Sequence, residues 1–236
     1  MTELIIIFVA SWLAGIAAFA GGLGGKFEGT ASTKHKRELI HGVVAFGGGI
    51  LTAAIAFALI PEAMSVLPAT SLAATFCIGG LIFCALDAYL SRSGGSKAQF
   101  MAMLMDFIPE AIALGALFGH NHQTGILLAL FIGAQNLPEG FNSFREITES
   151  GTSPRSALWG LFGISFLGPV AACSGHLWLQ NQPMLTAAIM SFAAGGILYL
   201  IFQDIAPQSK MRRHWLPPLG AVLGFAVGMI GKQLLG

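Results

Sequence analysis

Charged residues are scarce in this sequence of 236 residues: Asp, Glu, Lys and Arg make up 10% of it, against 55% hydrophobic residues. Soluble domains carry about 25% charged residues, so the scarcity argues against a soluble globular domain and favours a polytopic membrane protein. The formal net charge is only +1. No basic patch is large enough to indicate nucleic-acid binding, and we predict no nucleic-acid partner.

Cysteine is also scarce, with Cys77, Cys84 and Cys173 only. Cys77 and Cys84 lie about two turns apart on one predicted helix, too far for a disulfide, so we interpret the three as packing residues rather than thiolate ligands. The motifs of intramembrane hydrolases are missing too: there is no His-Glu-x-x-His, no Gly-x-Gly-Asp and no serine in a nucleophile motif. The chain is therefore predicted not to be an enzyme.

Long apolar runs dominate what is present. A helix needs about 20 apolar residues to cross the hydrocarbon core. Eight stretches qualify: residues 3–24, 40–61, 69–90, 100–119, 125–144, 157–178, 184–206 and 216–235. The connections are short, so we predict an all-α polytopic membrane protein with one eight-helix transmembrane domain over residues 1–236.

The basic residues indicate the direction of the spans. Eleven of the twelve Lys and Arg residues fall in the connections after spans one, three, five and seven, which the positive-inside rule places in the cytoplasm. Both termini are then predicted outside. The first span is preceded by an acidic residue and followed by basic ones, which favours an uncleaved helix over a signal peptide. We expect a multi-pass protein of the bacterial inner membrane, surrounded by the lipid bilayer, and we keep a homodimer as an open possibility.

Glycine is abundant, with 31 residues. Small residues let helix backbones approach closely in lipid. The pairs Gly79–Gly80 and Gly195–Gly196 are predicted to form such close contacts, either for sliding or for ordinary packing.

Three acidic residues lie inside the predicted spans, away from both ends: Asp106 and Glu110 in span four, and Glu139 in span five. Each charge at a helix centre costs about 2.5–3.5 kcal/mol on insertion scales, and such residues usually mark an ion path, a proton relay or a metal site. No Lys or Arg lies at membrane depth in either span to pair with them.

The two spans share a pattern. The stretches DFIPEA (106–111) and QNLPEG (135–140) each carry a polar residue, a proline three positions later and a glutamate four positions later. Positions i and i+4 share one helix face. Pro109 and Pro138 each remove an N–H and disturb the carbonyl four residues earlier, so we predict proline-kinked helices four and five at the core.

The polar residues of the two spans are expected at similar depths in the membrane. At about 1.5 Å per residue, Asp106 is expected level with Glu139, and Glu110 level with Gln135. Carboxylate and amide oxygens suit divalent cations, so the antiparallel spans predict an oxygen cage at mid-membrane. A kinked helix pair with protonated, hydrogen-bonded acids is the structural alternative.

At these residues the sequence resembles the ZIP (Zrt/Irt-like) family of divalent metal transporters, which carries similar Pro-Glu motifs in spans four and five. The stretches GGGILTAAIAFALIPEA and AAIMSFAAGGILYLIFQDIAP also look like that family's second and seventh spans. The resemblance implies cation uptake by alternating access, with the cation as substrate and no resident cofactor. It implies a site formed by Asp106, Glu110, Gln135, Asn136 and Glu139.

The chain departs from the family pattern. Asp106 and Phe107 stand where His and Asn are usual, Gln135 replaces a common His, and Gly168 or Pro169 replaces a span-six Glu. Imidazole suits zinc, whereas an all-oxygen site is less selective. We therefore expect zinc as the first substrate, with use broadened to manganese, iron or cadmium. A ZIP-like sensor or regulator that binds metal without transporting it is the alternative.

Histidines and one further acid have two interpretations each. For His120 and His122 these are metal capture outside the membrane and an ordinary polar turn. For His41 and His176 they are an entry or exit path and packing. For Asp204, at the inner end of span seven, they are metal release and capping or solvation.

Overall fold

The computed structural model describes residues 2–28, 33–93, 95–119, 121–212 and 214–235, and the regular structure in these residues is helical. They form eight helices: α1 (Thr2–Glu28), α2 (Lys34–Val66), α3 (Ala69–Ser93), α4 (Gly95–Phe118), α5 (His122–Glu149), α6 (Pro154–Leu179), α7 (Pro183–Gln208) and α8 (Leu219–Leu235). The predicted all-α class is confirmed. His120 lies outside the described residues.

Five helices, α1, α2, α3, α6 and α7, are long and apolar enough to cross a membrane. The helix α8 is apolar but shorter, at 17 residues. With 24 and 28 residues, α4 and α5 reach about 36 and 42 Å. Their mean hydropathy is lowered by the acids and amides predicted to bind metal. These lengths and compositions are those of a multi-pass membrane protein.

Glycines hold four pairs of helices at very short distance. In the pair α1–α5, a Cβ on Gly21 would lie 1.9 Å from the Leu137 carbonyl oxygen, and one on Gly140 would lie 2.0 Å from that of Ala18. Each glycine of the pair therefore faces the backbone carbonyl of the residue three positions before the other glycine. The same reciprocal contact recurs in three more pairs: Gly49–Gly224 (α2–α8), Gly79–Gly195 (α3–α7) and Gly115–Gly175 (α4–α6). Any larger residue would separate the backbones.

The paired helices run in the same direction. Along α1–α5, contacts advance together from Ala14 beside Gly133 to Gly25 beside Phe144. Along α3–α7, they advance from the hydrogen bond between Leu72 and Ser191 to the one between Asp87 and Tyr199. An odd number of helices separates the members of every pair, as a chain that crosses the membrane alternately requires. The pairing therefore agrees with the predicted alternation.

The four pairs group into two bodies. The pairs α1–α5 and α4–α6 pack together through α4–α5 and α1–α6, and we call these four helices the α1 body. The pairs α2–α8 and α3–α7 pack together through α2–α7, and they form the α2 body. The bodies meet mainly at α2–α5 and α4–α7. At the first contact, a Cβ on Gly47 would lie 3.0 Å from Pro138 Cγ.

Two helices of the α2 body contain π-helical turns that the sequence did not predict. They span Ile55–Leu59 in α2 and Ile201–Ile205 in α7, and a proline follows each one two residues later. A proline leaves a preceding carbonyl without its helical donor, and a wider turn accommodates the mismatch. By contrast, α4 and α5 stay α-helical through Pro109 and Pro138. The predicted kinks there stay a prediction.

Candidate metal site

A cavity of about 250 Å³ lies between the two bodies. Helices α4 and α5 supply one wall, and α2, α3 and α7 supply the other. Its polar lining residues are Asp87, Ser91, Asp106, Gln135, Glu139, Asn142, Ser143, Glu146, Asp204 and Gln208. Half of these are carboxylates, and no Lys, Arg or His of the described chain lines the cavity. The cavity is therefore strongly acidic.

Four of the five predicted metal residues come together here. Asp106, Gln135 and Glu139 line the cavity. Glu110 is joined to it because Gln135 Nε2 donates to Glu110 Oε2 at 2.7 Å. That hydrogen bond agrees with the expected match in depth between Glu110 and Gln135. Asp106, Glu110 and Gln135 are at most 4% exposed, whereas Glu139 is only partly buried.

Two oxygens in this group lack a donor. Glu110 Oε1 and Gln135 Oε1 are buried and make no hydrogen bond within the described part of the chain. A buried acceptor without a partner costs about 1–3 kcal/mol, and more when it is charged. A divalent cation would satisfy both atoms, because carboxylate and amide oxygens are suitable ligands for it. The donor set therefore fits a cation.

The three acids of the group also repel one another. Asp106 and Glu110 are close enough to act on each other electrostatically, and both act on Glu139. Such repulsion is stronger in a buried site than in water. Among the lining side chains that the structure describes, none is basic and offsets it. A proton or a cation shared among the three relieves the repulsion.

The described arrangement of these side chains is nevertheless not a complete metal-binding site. Within residues 2–28, 33–93, 95–119, 121–212 and 214–235, no three His, Cys, Asp or Glu side chains are placed to hold a metal ion together. Gln135 also turns its donor nitrogen, rather than its oxygen, towards Glu110. The metal-ligating role of these residues stays a prediction.

Asn136 makes a different contact. Its Nδ2 donates to the Ala14 carbonyl of α1 at 2.9 Å, and the residue is 2% exposed. It does not line the cavity. The contact ties α5 to α1 within the α1 body, and the predicted role of Asn136 as a metal ligand stays untested.

The cavity extends to the end of the bundle that carries the basic residues. Beyond Glu139, Asn142 and Glu146 continue the same face of α5, and Gln208 ends α7. Asn142 Nδ2 donates to Glu146 Oε1 at 2.9 Å and to Gln208 Oε1 at 3.0 Å. The second of these hydrogen bonds links the two bodies at the mouth of the cavity.

The opposite end is closed. Large apolar side chains with at most 3% exposure fill the space beyond Glu110: Leu114, Leu117, Phe118, Leu127, Leu128 and Phe131. At this end, Thr124 Oγ1 donates to Glu62 Oε1 at 3.0 Å, and Asn121 Nδ2 donates to the same oxygen at 3.4 Å. The two contacts tie the end of α2 to the start of α5.

Sequence reasoning did not assign Asp87, Asn142, Glu146 and Gln208 to the site. A signal was present in α5, where polar residues recur at 135, 139, 142 and 146 and so mark one helix face. Similar i, i+4 polar pairs occur at 87 and 91 in α3, and at 204 and 208 in α7. Acids near the ends of spans can be solvated by water or headgroups, and only the packing shows that these face one cavity.

The histidines lie away from this cavity in the described residues. The Nδ1 of His41 hydrogen-bonds with the Gln208 carbonyl, so it connects α2 to the end of α7. His176 is 5% exposed, and its Nδ1 has no partner in the described chain. His122 lies 4.0 Å from a Glu3 carboxylate oxygen. Metal capture by His122 stays a prediction. Asp204 does line the cavity.

A bundle of apolar helices that encloses acids and amides is typical of a multi-pass membrane protein that handles ions. No protein-family model matches the chain. It is 34% identical over 140 residues to the zinc transporter GufA of Myxococcus xanthus, a match that covers 58% of this chain and 54% of that protein. It is 27% identical over 119 residues to the zinc transporter zipt-7.1 of Caenorhabditis briggsae, covering 47% of this chain and 30% of that protein.

These matches support the resemblance to the ZIP family that the Pro-Glu motifs predicted. The aligned region spans between about a third and a half of the curated relatives' own length.

Proposed function

We propose that the protein carries divalent metal cations into the cytoplasm by alternating access, with zinc as the first substrate. The observation that carries the proposal is the pair of unpartnered buried oxygens on Glu110 and Gln135 beside an acid-lined cavity. The zinc transporters to which the chain is similar support the same class of function. Eight membrane crossings with both termini outside complete the proposal, supported by the distribution of basic residues and by the parallel helix pairs.

The cation moves down a series of oxygen ligands. It leaves water on the outer side and first meets Glu110 and Gln135. There Oε1 of each residue is available while Gln135 Nε2 stays bonded to the second carboxylate oxygen. Asp106 and Glu139 then share the ion, and the cavity leads it past Glu146 and Asp204 to the basic end. Each step replaces one set of oxygens by another, which limits the cost of dehydration.

Alternating access requires the two bodies to move against each other. The proposed ligands Asp106, Glu110, Gln135 and Glu139 all belong to the α1 body, where glycine crossings hold the helices together. The α2 body supplies the opposite wall. A shift at the contact between Gly47 and Pro138 closes the cavity at the basic end and opens the site at the other. The described arrangement then corresponds to the inward-open state.

An all-oxygen site also shapes substrate choice and pH dependence. Without imidazole ligands, manganese, ferrous iron and cadmium compete with zinc. Protons compete for the same carboxylates, so uptake at low metal concentration falls on acidification, and a higher metal concentration restores it. Uptake that rises on acidification contradicts this competition.

Metal uptake into liposomes tests the proposal. We expect saturable uptake of zinc by the wild type, and a loss of at least about 100-fold in Glu110→Ala and in Glu139→Ala, since even indirect supports of metal sites contribute 10–100-fold. Glu149→Ala is the matched control, because this acid ends the same helix but its side chain is 71% exposed. If the wild type binds metal but does not transport it, and both variants lose the binding, the protein is a sensor rather than a transporter.

A further inference from the structure

A second, larger cavity lies on the other side of the contact between α2 and α5. It measures about 830 Å³ and lies between α1 and α5 of the α1 body and α2 and α8 of the α2 body. Apart from Glu38, every residue that lines it is apolar or glycine. Pro138 lines both this groove and the acidic cavity. The same proline ring therefore separates an apolar groove from the proposed ion path.

The groove faces the surroundings of the protein. The five leucines that line it are all strongly exposed: Leu39 at 60%, Leu137 at 47%, Leu216 at 67%, Leu219 at 53% and Leu223 at 63%. It lies at the basic end of the bundle, since it is bordered by the last turns of α1 and the first turns of α2 and α8. In a membrane this position falls within one leaflet, near its headgroups. Its volume lies in the range of about 300–1,000 Å³ typical of ligand pockets.

The rim of the groove is basic. Lys34 and Arg37 are exposed in the first turn of α2, immediately before Glu38 and Leu39 of the lining. Glu38 is itself engaged by His214 Nδ1, and His35 Nδ1 lies 3.5 Å from its other oxygen. The carboxylate is thus held inside a predominantly positive rim. Basic residues near a membrane surface attract anionic headgroups.

We propose that this groove binds one acyl chain of an anionic glycerophospholipid, whose phosphate lies among Lys34 and Arg37, and that the bound lipid holds the two bodies open at the basic end. An acyl chain fits an apolar groove open to the bilayer, and the rim selects the charge of its headgroup. The chain lies between α1–α5 on one side and α2–α8 on the other. It therefore acts as a spacer at the interface that the proposed transport cycle must close.

Lipid binding is tested on purified protein in detergent by native mass spectrometry, with dioleoyl phosphatidylglycerol and dioleoyl phosphatidylcholine as the two probes. We expect one phosphatidylglycerol retained per chain, with an affinity about tenfold or more above that for phosphatidylcholine. In Lys34→Ala with Arg37→Ala, this preference disappears. Equal retention of both lipids by the wild type overturns the headgroup assignment.

Filling the groove tests the acyl chain. A Cβ built on Gly42, which lines the groove, meets no atom within 4 Å, so Gly42→Phe places a ring in the groove without a clash at its first atom. Gly163→Phe is the matched control, because Gly163 of α6 has equally open space outside the groove. We expect Gly42→Phe to lose the retained phosphatidylglycerol and Gly163→Phe to keep it.

A second variant that narrows the groove shows whether a loss of lipid in Gly42→Phe comes from the filled groove or from misfolding. Gly24→Leu narrows the groove from α1, where a Cβ would lie 3.6 Å from the Phe141 ring. Undiminished lipid retention in both groove variants overturns the proposal, and a protein dimer that Gly42→Phe dissociates assigns the groove to a second copy instead.

The effect on transport rests on the proposed function and is measured separately. Wild-type zinc uptake in liposomes should depend on their phosphatidylglycerol content, and uptake by Gly42→Phe should not. Lipid retention without any metal flux refutes the proposed function alone, whereas flux with no lipid retention refutes the groove alone.

Discussion

The two ends of the helix pair α4–α5 differ in almost every physical respect. Towards the basic end, Asp106 and Glu139 face an acidic cavity that continues past Asn142 and Glu146. Towards the other end, the same two helices bury Leu114 and Phe131 among other large apolar side chains. Water and ions can follow the first route and not the second. A single polar layer at mid-membrane therefore has access from one side only in this conformation.

The difference also shows which contacts hold each end. At the closed end, Glu62 of the α2 body accepts two hydrogen bonds from the start of α5. At the open end, Asn142 bridges to Gln208 across the cavity mouth. The closed end combines apolar packing with a charged acceptor. At the open end an amide pair bridges the cavity mouth, and the ion pair between Lys36 and Glu28, at 3.5 Å, joins α2 to α1. We expect the amide bridge to give way more readily during a transport cycle.

Thiol labelling measures the difference between the ends most directly. In a background with Cys77, Cys84 and Cys173 changed to serine, Ser91→Cys at the open end should react quickly with a membrane-impermeant maleimide applied from the basic side. Leu117→Cys, which is 3% exposed at the closed end, should react from neither side.

Labelling after denaturation confirms that both thiols are present in these variants. Rapid reaction of Leu117→Cys from the opposite side, with Ser91→Cys protected, would reverse the assigned conformation.

Introducing an imidazole at position 106 tests whether the acid in the polar layer determines the choice of metal. Asp106→His supplies the ligand type that zinc prefers over manganese. We expect the ratio of zinc to manganese uptake to rise by about tenfold, measured as competition between the two ions in liposomes. Asp106→Asn is the control for loss of charge alone and should lower both rates without raising the ratio. A ratio unchanged in Asp106→His would show that Asp106 is not a ligand.

The smallest effect is expected at the closed end. Glu62→Gln keeps the shape of the side chain but removes the charge that strengthens its two hydrogen bonds, worth about 1.5–3 kcal/mol each when fully buried and less at this partly exposed site. Uptake should change by only a few-fold, while Leu117→Cys in the same chain becomes reactive from the outer side. Unchanged protection of Leu117→Cys would mean that apolar packing alone closes this end.

Much of the architecture was predictable because it follows from local properties of the chain. Apolar length specified the eight helices, and the Pro-Glu repeat with i, i+4 spacing brought Glu110 and Gln135 to matching positions on neighbouring helices. Other features depend on contacts between distant segments. The place of Asn136 in the motif predicts a ligand, which stays untested, and the motif does not predict that its amide donates to α1. The π turns of α2 and α7 were also missed, because a proline in an apolar run does not specify how its helix adapts.

The sequence by itself determined which segments leave water and where acids stay inside them, because hydrophobicity and charge act on each segment independently of the rest. It also supplied the small residues for close packing, as Gly79 and Gly195 illustrate. Only the tertiary structure decided which helices those glycines join, which end of the acidic layer is open, and that Pro138 separates the cavity from an apolar groove. These features arise from the packing of helices far apart in the chain, and helix packing in lipid depends on shape complementarity that no single segment encodes.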